Sequence, residues 1–577
     1  MKKNITLLWL PILFFLLLGS RGMAAKKVTQ DKVVVAYVTS WSHVIPDPTV
    51  MTHLNYAFGG VNKTFNGVDI GNPDRLKSMV LLKKKNPHLK VLLSVGGWGA
   101  GRFSEMAASD ENRRQFAADC KRIVTEYQLD GIDIDWEYPT QSSANISSSP
   151  EDTEHFTLLM RDLRKTLGNK KLVTCATIAS GEFIDFKNCI KYLDWVNVMS
   201  YDMGNPPKHH SALFPSEISG WMSSSQAIES HLKKGVPVEK LVMGMPFYGR
   251  GDEKYHPYVK NHNLKVDAIE KWSETSQVPY LEGKDGKLVF GFENAKSIAR
   301  KCQYIIDNHL RGGMYWEYAE DNAQGDFSKI LALSLLKNNK ATIPARRVLV
   351  IAEEGTPHQG FVDAAKDWLE KNAQRLNIQT TYVSDMRQAK CEELSHYHLI
   401  LQLNYPPFAW STDRMKELVD YIDNGKGSYM GFHHASLLGD IFGAGKMWQW
   451  YSDFMGNIRW KDYVRETANG VIAIEDKSHP VMKDVPDTVM IPKDEWYTYD
   501  QTPRPNVHVL AHVDEHSYQP ASSVKMGDHP VIWVNEKKAA RNVYFQIGHD
   551  KSLFLSKGFL QMWENALRWT LFEESYQ

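Results

Sequence analysis

Asp130-Gly-Ile-Asp133-Ile-Asp135-Trp136-Glu137-Tyr138-Pro139 sets four acidic residues, at steps of three, two and two, into an apolar run. Side chains alternate along a strand, so Asp133, Asp135 and Glu137 point to one face and Ile132, Ile134 and Trp136 to the other. Successive carboxylates on that face stand about 6.5–7 Å apart. In a partly dry place they repel one another, and at least one keeps a proton at neutral pH. That is how a protein holds a carboxylic acid ready to donate. A polar edge strand or a cation-binding loop also carries acids. Neither needs an apolar residue at every alternate position, and unpaired buried acids are costly.

Outward from this run, residues 31–340 alternate short apolar strands with longer helical patterns. The strands read Val33–Val38, His53–Phe58, Val91–Val95, Gly131–Trp136, Leu172–Ile178, Trp195–Met199, Leu241–Met245 and Gly313–Trp316. Between them lie amphipathic stripes, such as Phe116, Cys120, Ile123, Val124 and Tyr127, or Phe156, Leu159, Met160 and Leu163. Eight such units predict a (β/α)8 barrel, with its chemistry at the C-terminal ends of the strands. The acidic run closes the fourth strand. Ser94-Val-Gly-Gly97-Trp98 closes the third, Met199-Ser-Tyr201-Asp202 the sixth, and Pro246-Phe-Tyr-Gly-Arg250 follows the seventh. Tyr37 and Phe58 lie on the first two strands and Trp316 on the eighth.

The acidic run resembles the DxxDxDxE signature of glycoside hydrolase family 18, the chitinases and their relatives. Ser94–Gly97 looks like that family's SxGG motif and Met199–Asp202 like its MxYD motif. The resemblance covers nearly all of residues 31–340. It implies a substrate-assisted mechanism, in which the substrate's own 2-acetamido oxygen attacks the anomeric carbon. It further implies that Glu137 is the acid and then the base, that Asp135 orients the acetamido N–H, and that Asp133 shares a proton with Asp135, supported by Tyr37 and Ser94. Tyr201 would donate to the acetamido oxygen, Asp202 and Arg250 would bind nearby sugar groups, and Trp316 would floor the site. Phe58, Gly97, Trp98, Tyr138 and Met199 complete the expected substrate-binding set. The implied substrate is chitin or another N-acetylglucosamine-containing glycan, cut by an exported enzyme. An endo-N-acetylglucosaminidase acting on N-glycans, or an inactive chitin-binding lectin, are the alternatives. Inactive relatives usually lose the acid at the Glu137 position, and Trp136 favours chitin-type substrates.

Two departures from the family pattern matter. Where many members carry a tryptophan after MxYD, this chain has Met203-Gly-Asn-Pro-Pro207. The segment Gly251–Val289 reads as only a modest excursion, which predicts a shallow groove.

After a short polar linker, Lys337–Pro344, the pattern restarts. Strands Val348–Ala352, Leu399–Leu403 and Ser428–Phe432 alternate with helices at Phe361–Leu376 and along Met415, Leu418, Val419 and Ile422. This predicts an open, doubly wound, flavodoxin- or amidotransferase-like α/β domain. Gly425–Ser436, His479-Pro480, Asp494-Glu495, Pro530–Trp533 and Gly548-His549-Asp550 resemble the ThuA-like (trehalose utilisation) family. That family has the class I glutamine amidotransferase fold without its nucleophile. Here too the turn after the third strand carries His433 and no cysteine. His358, His433, His434, His479, Glu495 and His549 form a candidate site that could take a metal or a sugar. No tight ligand spacing is present, so no metal and no cofactor is assigned.

The expected organisation is an export signal at 1–24, a barrel at 25–340 and a second α/β domain at 345–577. Lys2 and Lys3 precede the apolar run Leu7–Leu18, which is too short to span a bilayer comfortably, and Gly22 and Ala24 suit cleavage. Placement outside the cytoplasm, in the periplasm, at the cell surface or secreted, follows as an expectation. Formal net charge is zero, from 68 basic and 68 acidic residues, so nothing points to nucleic acid or an anionic membrane. No later stretch is apolar enough to cross a membrane. Seventeen tryptophans suit sugar stacking as well as a core. Five scattered cysteines without a CxxC pair read mostly as buried thiols.

Overall fold

A computed structural model describes residues 31–260, 266–438 and 447–575. The expected export signal lies outside the described residues. Eight parallel strands close into a barrel: β1 (Val33–Thr39), β2 (His53–Val61), β3 (Lys90–Gly96), β4 (Gly131–Asp135), β5 (Leu172–Ile178), β6 (Trp195–Met199), β7 (Leu241–Pro246) and β8 (Gly312–Trp316). Each pairs with its sequence neighbours, and β8 closes on β1 with Val33 opposite Gly312.

The alternation of β1 explains the layers. Val33, Val35 and Tyr37 face the barrel interior with Ala176, Trp195, Met199 and Met314, while Val34, Ala36 and Val38 join the larger core under the helices. On β4 the same phase sends Asp133 and Asp135 inward and leaves Ile132 and Ile134 in the outer core. Trp136 also belongs to that outer core. It is 1% exposed and stacks on Phe103 at 5.3 Å. It thus lies on the face opposite the acids, as the alternation of the run predicts.

The segment after β7 is more than an excursion. Arg250–Gly251, Ile269–Ser273, Val278–Glu282 and Leu288–Gly291 form a four-stranded antiparallel sheet. Buried Lys301 and Glu293 pair beneath it, and Lys301 also donates to the Ser211 carbonyl at 2.6 Å, which ties the sheet's base to the β6 loop. Beside this sheet lies an open cleft of about 790 Å³, lined by Arg250–His256 and Leu288–Val289 on one side and by Asn205, Pro206 and Pro207 on the other.

The second half builds on β9 (Arg346–Ala352), β10 (Ile378–Val383), β11 (Leu399–Leu403), β12 (Ser428–Phe432), β13 (Ala468–Ile474), β14 (Thr488–Asp494), β15 (His508–Gln519), β16 (Pro530–Val534) and β17 (Asn542–Phe545). These form one mixed sheet in the order β10-β9-β11-β12-β17-β16-β15-β13-β14. The parallel half, β10 to β17, matches the doubly wound expectation. The antiparallel half was not foreseen, because β13, β14 and β15 alternate buried with exposed residues instead of forming the continuous apolar runs of a parallel sheet. Among the described residues all five cysteines are free, four of them buried. No described helix is long and apolar enough to cross a membrane.

Candidate active site

The carboxyl ends of the barrel strands converge on Asp133. Its Oδ2 accepts from the Tyr37 hydroxyl at 2.8 Å and from Ser94 Oγ at 2.9 Å. Its Oδ1 accepts from Thr174 Oγ1 at 2.6 Å and from Asn197 Nδ2 at 3.3 Å. Four neutral donors offset much of the desolvation that burial imposes, though the carboxyl still sits above its ordinary range. Asp135, two residues on, lacks that support. Its Oδ1 is buried without a hydrogen-bond partner. Burial, then the charges of Glu137 and Asp133, drive its carboxyl well above the usual range. Of the two aspartates, Asp135 is the more strongly biased toward its neutral form.

Glu137 lies just past the end of β4, at a bend that β-alternation alone does not describe. Burial lifts its carboxyl to about 7, opposed by a hydrogen bond from Tyr138 and helped by the charge of Asp202. Two glycines make room for this crossing. A Cβ on Gly96 would stand 2.0 Å from the Asp135 carbonyl, and one on Gly97, at φ +97, would strike the Phe58 ring at 2.6 Å.

Asp202, itself at φ +57, takes a bidentate pair from Arg250, Nε to Oδ1 at 2.7 Å and Nη2 to Oδ2 at 2.8 Å. His210 Nδ1 is 3.5 Å away. Burial would raise this carboxyl, but Arg250 and His210 outweigh it and hold it below the ordinary range. The Tyr201 hydroxyl engages no oxygen acceptor among the described residues; its contact is the Met314 sulfur at 3.9 Å.

Aromatic rings flank the acids on two sides. Trp316 stacks on Phe58 at 5.4 Å and stands 5.7 Å from Tyr37, with Met199 in the same cluster. On the other side Trp98 meets Tyr138 at 6.4 Å, and Tyr138 meets Phe183 at 6.1 Å. Trp98 is 66% exposed, which leaves a flat face to solvent. All the barrel residues named from sequence thus lie at the strand ends or in the interior cluster beneath them.

Sequence reading missed Thr174 and Asn197, the donors to Asp133 Oδ1, and His210 beside Asp202. The first two carried a signal: each is the one polar residue among the inward positions of its strand. It also missed Trp41, 60% exposed and 6.5 Å from Trp316, which sits in a loop without pattern. Thr174→Val keeps the volume and removes one donor from a buried carboxylate. It is expected to destabilise the chain by about 1–3 kcal/mol, read as a lower urea midpoint at unchanged slope.

In the second half, His358, His433, His434 and His549, which follow parallel strands, meet Glu495 from the antiparallel half. His479 does not join them. It caps the turn Pro480–Met482, its Nδ1 accepting from the Val481 amide at 3.2 Å, and its ring lies 4.7 Å from Trp569. The Pro480 after it commits it to that local role.

The glycosyl hydrolases family 18 matches residues 33–321, half of the chain, and the trehalose utilisation (ThuA) family matches residues 347–570. Chitinase A1 of Niallia circulans is 26% identical over 468 residues, 62% of this chain and 66% of that protein. Probable chitinase 2 of Drosophila melanogaster is 29% identical over 378 residues, 52% of this chain and 77% of that protein. Among solved structures, a glycoside hydrolase family 18 N-acetylglucosaminidase from Paenibacillus barengoltzii is 31% identical and covers 53% of this chain and 100% of its own, with a TM-score of 0.48.

Proposed function

This chain belongs to glycosyl hydrolases family 18 through residues 33–321, and from that premise we propose that it hydrolyses β-1,4 bonds between N-acetylglucosamine units of chitin or chitooligosaccharides. The observation that carries the reading is the unequal pair Asp133 and Asp135: one saturated with donors, the other buried with an orphan oxygen. A buried Asp135 biased toward its neutral form is a poor nucleophile, so two-carboxylate retention through this residue is disfavoured. An incoming acetamide N–H would supply the donor that Asp135 Oδ1 lacks.

The proposed chemistry then balances. The acetamido oxygen forms a bond to the anomeric carbon as the glycosidic C–O bond breaks. Glu137 passes its proton to the departing oxygen. Water opens the cyclic oxazolinium-like intermediate, and Glu137 recovers a proton from it. Tyr201, whose hydroxyl engages no oxygen acceptor among the described residues, donates to the acetamido oxygen. Asp202 and Arg250 form a fixed polar wall, and Trp316 supplies the floor. Trp98 and Trp41 offer exposed faces on which further sugars stack. The Lys2-Lys3 start and the Leu7–Leu18 run support export to the compartment where such a polymer is met.

The direct test is to incubate the purified chain with a ladder of N-acetylglucosamine oligomers, an N-glycoprotein and chitin. Shortening of the ladder is expected. Release of intact N-glycans with an untouched ladder overturns the chitin reading, and binding without any cleavage overturns hydrolysis. The pH dependence follows from Glu137. As an acid it must be protonated in the free enzyme, so kcat/KM is expected to fall as pH rises through about 7. A basic limb near the ordinary glutamate value would mean that burial does not lift this group.

A further inference from the structure

We propose that the second, ThuA-like half of the chain binds one divalent first-row transition-metal ion, best matched by zinc, through His358 Nε2, His433 Nε2, His549 Nδ1 and Glu495 Oε2. The four atoms lie within 4.8 Å of one another. Glu495 Oε2 stands 3.6 Å from each of the three nitrogens. That is too long for a hydrogen bond. It is close to an edge of a tetrahedron with metal–ligand bonds of 2.0–2.2 Å, which measures about 3.3–3.6 Å. Three imidazoles and one carboxylate suit zinc or its first-row neighbours.

The second observation is independent of that spacing. His433 is fully buried, and its Nε2 has no hydrogen-bond partner; His358 Nε2 and His549 Nδ1 are also buried without one. Three unsatisfied nitrogens facing one carboxylate are costly unless something joins them.

The outer partners are those expected of metal-bound histidines. His433 Nδ1 donates to the Gln546 carbonyl at 2.8 Å, which turns its Nε2 lone pair toward Glu495. The ring is held between that carbonyl and Tyr497, 4.2 Å away, on a backbone at φ +45, a strained value for histidine. On the far side of His358, Glu353 Oε2 lies 3.8 Å from Nδ1 and accepts from His434 Nδ1 at 2.7 Å. His358 Nδ1 has Thr356 Oγ1 at 3.5 Å, and the His434 ring that Glu353 holds packs edge-on against His358 at 4.1 Å, so Glu353 and His434 position His358 through that ring contact. Asp494 Oδ2 accepts from the amides of Gly548 and His549 at 3.0 and 3.3 Å, which fixes the loop that presents His549. His358 follows β9, His433 follows β12, His549 follows β17 and Glu495 follows β14. The three histidines thus sit at the carboxyl crest of the parallel strands, where doubly wound sheets bind ligands, and the antiparallel half contributes Glu495.

The test uses the full chain. It is stripped with a chelator, dialysed against zinc chloride and then against metal-free buffer, and its metal is counted by mass spectrometry. One zinc per chain is expected. His433→Ala, His549→Gln and Glu495→Gln are each expected to lose most of it while keeping the parent's circular dichroism. If His433→Ala does not fold, the other two carry the test. Glu353→Gln is expected to keep the stoichiometry and weaken affinity about 10- to 100-fold in competition with a chromophoric chelator. A parent chain that retains none of zinc, cobalt or manganese overturns the proposal. So do folded variants that hold zinc as the parent does.

Discussion

A fully deacetylated β-1,4-glucosamine polymer is expected to be cut at least about 10⁵-fold more slowly than its acetylated counterpart of equal length. The magnitude comes from the nucleophile. An acetamide already attached to the reacting sugar has an effective concentration of about 10⁵–10⁸ M, and removing it removes that advantage. Nothing in the barrel replaces it. An enzyme nucleophile would have to be an ionised carboxylate beside the anomeric carbon. Burial and the charges of Glu137 and Asp133 bias Asp135 toward its neutral form, and Asp133 is engaged by four donors. The measurement is reducing-end release from defined oligomers, with the acetyl group present or absent only on the sugar at the non-reducing side of the cut. Comparable rates for the two would mean that a carboxylate of the enzyme does the attacking.

Glu137→Gln is expected to lower kcat by about 10²–10⁴-fold and leave oligosaccharide affinity within a few-fold of the parent. The amide keeps the shape of the side chain and cannot deliver a proton. The split between kcat and binding matters, because a loss of fold would lower both. Isothermal titration with an intact oligomer, beside initial rates, separates the two. A variant that turns over at the parent rate would move the acid elsewhere. The most plausible substitute, Asp202, is held ionised by Arg250 and His210 and is not equipped to donate.

Much of this was legible from sequence, for reasons that differ between regions. The eight barrel strands are buried on both faces, so they read as apolar runs with sharp ends, and the observed bounds differ from the expected ones by a few residues at most. The acidic ladder stood out because carboxylates at alternate positions of such a run have no structural use. The same alternation put Trp136 on the face opposite the acids, and it lies there, in the outer core against Phe103. The strands of the segment after β7, read as a modest excursion, and β13 to β15 of the second sheet were not foreseen, because half-exposed strands alternate and resemble polar connections.

What the chain determined on its own is the set of local patterns: strand and helix periodicity, glycines where backbones cross, and the acids and aromatics at strand ends. Those depend on residues a few positions apart. Tertiary structure alone decided which distant groups meet. It gave Asp133 donors from four other strands while Asp135 received none for its Oδ1, and it brought four candidate ligands from residues 358 to 549 around one point while sending His479 elsewhere. Protonation and ligation are set by neighbours in space, and a residue's spatial neighbours are written nowhere in its local sequence.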